Sequence, residues 1–348
     1  MKRFVQILLA SALALVGSVS CHEVEKPSGS VVISFSTAAP VTRAGEVGDG
    51  NVADGGGIYV DDDSGNPDLF IAIANYSGDV IATYTGTNTA NAELIDDATA
   101  TQVSVRFKNI TNSGEYTVFA LANTSGVTWG VPSASDWTSS LTTASSISNL
   151  KFNDLGEYGT LSVTDRMPLS AKGKLTISEN LNGHVELEML RCVGKVGFMF
   201  KNETGEPLTL TGCHVGIEEI SPTQGYLFPR DEGTDTAGTA RDLDLFSGSM
   251  SIGVDQTTPL YGMQLVFPSV APERALGSRY FCNISFTVDN EPKTFTELPI
   301  HDKMSRDIQA LGRNQYLQIT TRINKGLDIS FNFEVIDWTN KREEIVFH

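Results

Sequence analysis

Apolar residues in this 348-residue chain recur in short alternating or continuous runs bounded by turn chemistry, almost never at helical spacing, and this pattern restricts the chain to strands. The runs include Leu69–Ala74, Val80–Tyr84, Val103–Phe107, Tyr116–Ala122, Val185–Leu190, Val193–Phe200, Leu208–Val215, Tyr280–Val288 and Tyr316–Ile323. Between them stand Asn75–Asp79, Lys201–Pro207 and Asp289–Pro292, rich in the Gly, Asn, Asp and Pro that turns require. The best helical candidate, Ser305–Leu311, is a turn or two long. Two all-β sandwich domains in tandem are expected, residues 44–182 and 183–348, with the boundary in the polar stretch Ser178–Gly183.

The sharpest alternation is C-terminal. Leu327, Ile329, Phe331, Phe333 and Val335 are apolar, while Asp328, Ser330, Asn332 and Glu334 between them are polar. Ile345 and Phe347 return to the same parity. A strand of this kind has one face made for burial, and the pattern leaves open whether the groove it fills is its own or a neighbour's.

The N-terminus has the parts of an export signal. Lys2 and Arg3 precede an apolar run from Phe4 to Val16, too short to span a bilayer, and Gly17–Ser20 are small residues leading into Cys21. A cysteine directly after small residues is the arrangement of a lipoprotein signal, so residues 1–20 read as signal peptide and Cys21 as the lipidated, palmitate-bearing N-terminus. Residues 21–43 then form a leader, in which Val31, Ile33 and Phe35 alternate with Val32, Ser34 and Ser36 as a short strand.

The chain carries a formal charge of −17. Removal of residues 1–43 takes away four basic and two acidic residues and makes the body more acidic still. Such a body repels phosphate backbones, so nucleic acid is not an expected partner. Cys192, Cys213 and Cys282 are odd in number and lack C-x-x-C spacing; buried free thiols are expected, with one disulfide left open.

No motif calls for catalysis, a cofactor or a metal. The histidines at 22, 184, 214, 301 and 348 have no metal-ligand spacing, and His301-Asp302 precedes a turn. Asp61–Asp68 resembles a calcium loop, but its twelfth position is Ala72, so an acidic hairpin loop is expected. Gly55-Gly56-Gly57 lacks a phosphate-loop context, and no G-x-S-x-G occurs. Trp129, Trp137, Tyr226 and Tyr261 could stack a sugar, though such residues more often fill cores. The chain is expected not to be an enzyme.

Taken together, several short stretches resemble the fimbrillins, the type V pilins of Bacteroidetes. They are Cys21, Val41-Thr42-Arg43-Ala44, Leu190–Val196 at the opening of the second domain, Gly312-Arg313-Asn314-Gln315-Tyr316, and Val335-Ile336-Asp337-Trp338. Gly194 stands where Ala is more usual in that family, and Ser18 where Leu is. The resemblance implies Greek-key, transthyretin-like sandwiches and a subunit, stalk or tip, of a cell-surface fimbria. It also implies export to the outer membrane on lipidated Cys21, cleavage between Arg43 and Ala44 by an arginine-specific protease, and polymerisation with other fimbrial subunits. Leu327, Ile329, Phe331, Phe333 and Val335 would be donated to the slot the leader leaves. A host or bacterial surface receptor is a further implied partner, and Thr236, in Asp235-Thr236-Ala237, an O-glycosylation site. A monomeric surface-anchored adhesin or glycan-binding lipoprotein is the alternative.

Overall fold

The computed structural model describes residues 30–37, 58, 67–95, 102–124, 134–152, 168–230, 236–258, 261–275, 277–302 and 304–337. The expected signal peptide, Cys21, Arg43, Ala44, Trp129, Trp338 and most of the Asp61–Asp68 loop lie outside them. The first half contains β1 (Val31–Thr37), β2 (Leu69–Ala74), β3 (Val80–Thr85), β4 (Ala92–Ile95), β5 (Gln102–Phe107) and β6 (Gly114–Ala122). Two short helices follow, α1 (Ala134–Ser139) and α2 (Ala144–Ser148), then β7 (Leu169–Ile177) and β8 (Gly183–Arg191). The second half runs β9 (Gly194–Glu203), β10 (Leu208–Gly225), β11 (Thr236–Ile252), β12 (Tyr261–Val266), β13 (Ser269–Val270) and β14 (Phe281–Val288). It closes with β15 (Glu291–Pro299), β16 (Ala310–Leu311), β17 (Gln315–Asn324) and β18 (Ile329–Asp337). The all-β expectation holds.

The first half forms one eight-stranded sheet in the order β3-β2-β6-β7-β8-β1-β5-β4. β7 and β8 pair only at their ends, Leu169 with Arg191, Ser170 with Leu190 and Ile177 with Gly183. With the ladder interrupted there, the sheet folds over, and inward residues from both sides share one core. Ile71 and Ile73 of β2, Val118 of β6, Leu175 of β7, Ile33 of β1 and Val105 of β5 all lie in it.

In the second half the sheets β11-β10-β14-β15 and β12-β9-β17-β18 contribute to a second core. Both halves use one device. The opening strand of each lies parallel to a late strand of the same half, β1 with β8 and β9 with β17. β18 lies at the sheet edge on the outer side of β17, the place β7 takes beside β8, and among the described residues β17 is its ladder partner.

A third core joins the halves. All six residues of β2 are buried because its two faces serve different cores. Ile71 and Ile73 point into the first-half core, while Phe70, Ala72 and Ala74 meet Trp137, Phe228 and Phe267 at the junction. Trp137 stacks on Phe70 with centroids 5.7 Å apart, and Phe228 meets Phe119 edge-on at 5.4 Å.

Two expectations change on the structure. Ser178–Gly183, read as the domain boundary, is the hairpin turn between β7 and β8, closed by Ser178 N–H to the Asn182 carbonyl with Leu181 at φ +59°. The chain leaves the first sheet later, at Cys192-Val193. Ser305–Leu311 forms no helix; Asp307 bridges to His301 and Ala310–Leu311 is a strand. The helices lie instead at α1 and α2, the latter capped by Thr143, whose Oγ1 accepts from Ser146 N–H at 3.1 Å.

Candidate functional site at the first strand

β1 occupies the middle of the eight-stranded sheet. It pairs antiparallel with β5 from Val31–Phe107 to Ser36–Gln102, and parallel with β8 from Val31–Gly183 to Thr37–Met189. Alternation aims Val31, Ile33 and Phe35 into the core, where each is at most 1% exposed. The strand is pinned at its start by Ser30, whose N–H donates to Asn182 Oδ1 at 3.1 Å and whose carbonyl accepts from Gly183 N–H at 3.2 Å.

The outer face of β1 is also organised. Ser34 Oγ lies 2.9 Å from Ser104 Oγ on β5 and 3.2 Å from His184 Nε2 on β8. Ser34 and Ser104 are buried although they point away from the core, with the His184 side chain exposed beside them. Val32 stands in register with Arg106 on one side and His184 on the other. Arg106 holds Glu93 of β4 at 2.9 Å, and Lys108 reaches the same carboxylate at 2.5 Å. Those bonds, Lys108 foremost, hold the Glu93 carboxyl below the usual carboxylate range.

Among the described residues β5 is hydrogen-bonded to β1 and β4, so β1 supplies the backbone link between the β4–β5 pair and the rest of the sheet. Taking β1 away exposes two backbone edges and an apolar slot three side chains deep. Refilling the three inward positions is worth roughly 5–9 kcal/mol gross, at about 1.5–3 kcal/mol per side chain. Unpaired edges flanking such a slot template a replacement strand.

The structure places the C-terminal alternating residues in their own half. Phe333 is buried in the second-half core, and Leu327, Ile329, Phe331 and Val335 pack half-buried against it. Phe331 meets Phe295 edge-on at 4.9 Å. The sequence parity thus identified the apolar face correctly, and the groove it fills here is its own.

The remaining candidates do not converge. Trp137 is 1% exposed, so it cannot join a sugar platform; Tyr226 is flanked by Lys151 Nζ at 4.9 Å and Arg230 Cζ at 4.3 Å from its ring centroid. Thr236 begins β11 in register with Gly225. Asp68 takes a hydrogen bond from Thr124 Oγ1 at 3.0 Å. His214 lies 3.3 Å from Asp244 with both side chains largely exposed, and His301 Nδ1 contacts its neighbour's carbonyl. Among the described residues no His, Cys, Asp and Glu group could hold a metal. Cys192, Cys213 and Cys282 are buried thiols outside any disulfide among the described residues, and Cys192 Sγ donates to the Leu227 carbonyl at 3.4 Å.

One cluster escaped sequence reasoning, although Arg191, Arg313 and Asn314 lie in the stretches that resemble the fimbrillins. Arg313 donates to Ser170 Oγ on β7 at 3.2 Å, to the Leu227 carbonyl at 2.9 Å and to the Tyr226 carbonyl. Arg191 of β8 donates to Asn314 Oδ1 at 2.7 Å, and Asn314 N–H to the Val193 carbonyl at 3.0 Å. Gly194 lies beside this turn. A Cβ there would meet the Gly312 carbonyl oxygen at 2.8 Å, which explains glycine at a position where alanine was expected. The available signal was an Arg-Asn pair between a glycine and a buried tyrosine, polar residues in apolar surroundings.

No family model and no curated protein matches this chain. Solved structures do. A candidate cell adhesion protein from Bacteroides eggerthii aligns with a TM-score of 0.50 at 11% identity, covering 89% of this chain and 96% of that one. The two share a fold. A fimbrial assembly protein from Parabacteroides distasonis aligns with a TM-score of 0.46 at 12% identity, over 89% of this chain and 98% of that one.

Proposed function

We propose that this chain is a structural subunit, stalk or tip, of a cell-surface fimbria, and that it supports adhesion rather than catalysis. It is exported as a lipoprotein, lipidated at Cys21 and carried to the outer membrane. An arginine-specific protease cuts between Arg43 and Ala44 and frees the leader with β1. Another subunit's C-terminal strand, carrying Leu327, Ile329, Phe331, Phe333 and Val335, then enters the slot between β5 and β8.

The observation that carries this reading is the position of β1. A segment N-terminal to the expected cleavage point is a doubly paired central strand, with inward side chains at most 1% exposed. The shared fold with a candidate adhesion protein agrees with it. On the receiving side, insertion restores two ladders and the apolar burial. Association costs offset only part of that gain, so the joint is long-lived.

The test is processing itself. Full-length chain treated with a trypsin-like protease should start at Ala44 by N-terminal mass mapping and form filaments visible by electron microscopy. Arg43→Ala should stay monomeric and keep its lipid on the cell surface. If Arg43→Ala forms normal filaments, the reading fails; if the cell-derived chain keeps residues 21–43 and stays monomeric, the anchored adhesin or glycan-binding alternative replaces it.

A further inference from the structure

The sequence of β1 reappears near the other end of the chain. Val31-Val32-Ile33-Ser34-Phe35-Ser36 and Leu327-Asp328-Ile329-Ser330-Phe331-Asn332 share the triplet Ile-Ser-Phe and the same apolar parity. Resting on the polymerisation proposed above, we infer that Ser104, His184 and Arg106 form a polar seat that fixes the register of the incoming strand. The seat takes Leu327–Phe331 of a second copy, with Ile329 at the place of Ile33 and Ser330 at the place of Ser34.

Each side chain of that segment has a counterpart in the slot. Leu327, Ile329 and Phe331 replace Val31, Ile33 and Phe35 in the core. Ser330 restores the hydroxyl bonded to Ser104 Oγ and His184 Nε2. The one change of chemistry, Asp328 for Val32, falls opposite both Arg106 and His184. Arg106 Nε is buried and has no acceptor while Val32 stands there. A carboxylate at that place supplies a charge-assisted partner.

β18 is also the strand the second half can release. It lies at the edge of its sheet, and among the described residues β17 is its only ladder partner. Ile329 and Phe331 are half-buried there, whereas Ile33 and Phe35 are 0% exposed in the slot. Leu327, held at φ +60° in the turn before β18, becomes extended when it takes Val31's place. Exchange therefore turns one ladder into two and takes Ile329 and Phe331 from half-burial to full burial, at the cost of withdrawing Phe333 from a site where it is 3% exposed.

The rival segment in the same phase is Glu343-Glu344-Ile345-Val346-Phe347. It aligns Ile345 and Phe347 with Ile33 and Phe35, but puts Val346 against the Ser104 hydroxyl and the Glu343 carboxylate at the place of Val31, inside the core. An unpaired buried carboxylate is strongly disfavoured.

The test mixes two full-length preparations, each cut after Arg43, one carrying Ser104→Cys and the other Ser330→Cys. Directly opposed residues on antiparallel neighbours come within disulfide reach, and the three native body thiols are buried. Oxidation of the mixture should give a reducible dimer, with none from either preparation alone and none when Val346→Cys replaces Ser330→Cys. As a second measurement, Asp328→Lys, an exposed position in the monomer, should slow filament growth about tenfold at low salt and much less at high salt. Filaments that link through Val346→Cys, or through neither cysteine, overturn the register and leave polymerisation standing, as does an Asp328→Lys chain that grows at the normal rate. Unaltered cut chain that never forms filaments overturns polymerisation and this inference with it.

Discussion

Arg313 illustrates how much one side chain can hold when its partners come from distant parts of the chain. Its guanidinium satisfies two carbonyls at the end of β10 and a hydroxyl on β7. Arg313→Ala should cost about 3 kcal/mol, read as a lower guanidinium midpoint, because charge-assisted bonds are lost and carbonyls are left without a donor. The thiols give a pH prediction. Burial pushes Cys213 up to about 11 and Cys282 up to about 12, against roughly 8.5 for an unfolded thiol. Raised folded values mean their contribution is complete below pH ~8.5 and is lost as pH climbs toward the folded values. Stability should therefore fall between pH 8.5 and 10, before tyrosines ionise, and a Cys213→Ala, Cys282→Ala chain should show a flatter fall. Maleimide should label either thiol only after denaturation. Burial of these cysteines was legible from their apolar neighbours in sequence. The roles of Arg313 and Asn314 were not, since their partners stand some ninety to well over a hundred positions away.

At the scale of elements, strands were legible wherever apolar residues alternate against one core. β1, β5 and β18 follow parity, and their inward residues are those the alternation selects. β2 departs from alternation for a physical reason: both of its faces are covered. The helices left no signal, because five or six residues are too few to show a 3.6-residue period and α2 rests on a Thr143–Ser146 cap. The hairpin turn at Ser178–Gly183 looked like a linker because turns and linkers share a polar composition. β1 yields a prediction of its own. Phe35→Ala should destabilise the uncut chain by about 3–5 kcal/mol, as expected for emptying a fully buried aromatic site. On the proposed cleavage at Arg43 the substitution would leave with β1, so the cut wild-type and variant chains should polymerise alike in filament-growth assays.

For the whole molecule, the junction is the feature sequence reading missed most completely. Phe70, Phe119, Trp137, Phe152, Phe228 and Phe267 meet there, and no local pattern links positions so far apart. An apolar junction reinforced by Arg313 and Arg191 should make the two halves unfold together, in a single calorimetric transition. Trp137→Ala, which removes a ring stacked on Phe70 and set edge-on to Phe228, should divide a single calorimetric transition into two.

The parallel pairing of β1 with β8 also governs how such a chain is made. Ser30 and its partner Asn182 are 152 positions apart, so the earliest strand to be synthesised waits for one of the latest in its sheet. Closing so wide a loop is slow, and an apolar segment lies bare meanwhile. β1 gains its parallel partner only once β8, residues 183–191, is in place, and until then that side of the strand should offer an unpaired edge to other chains.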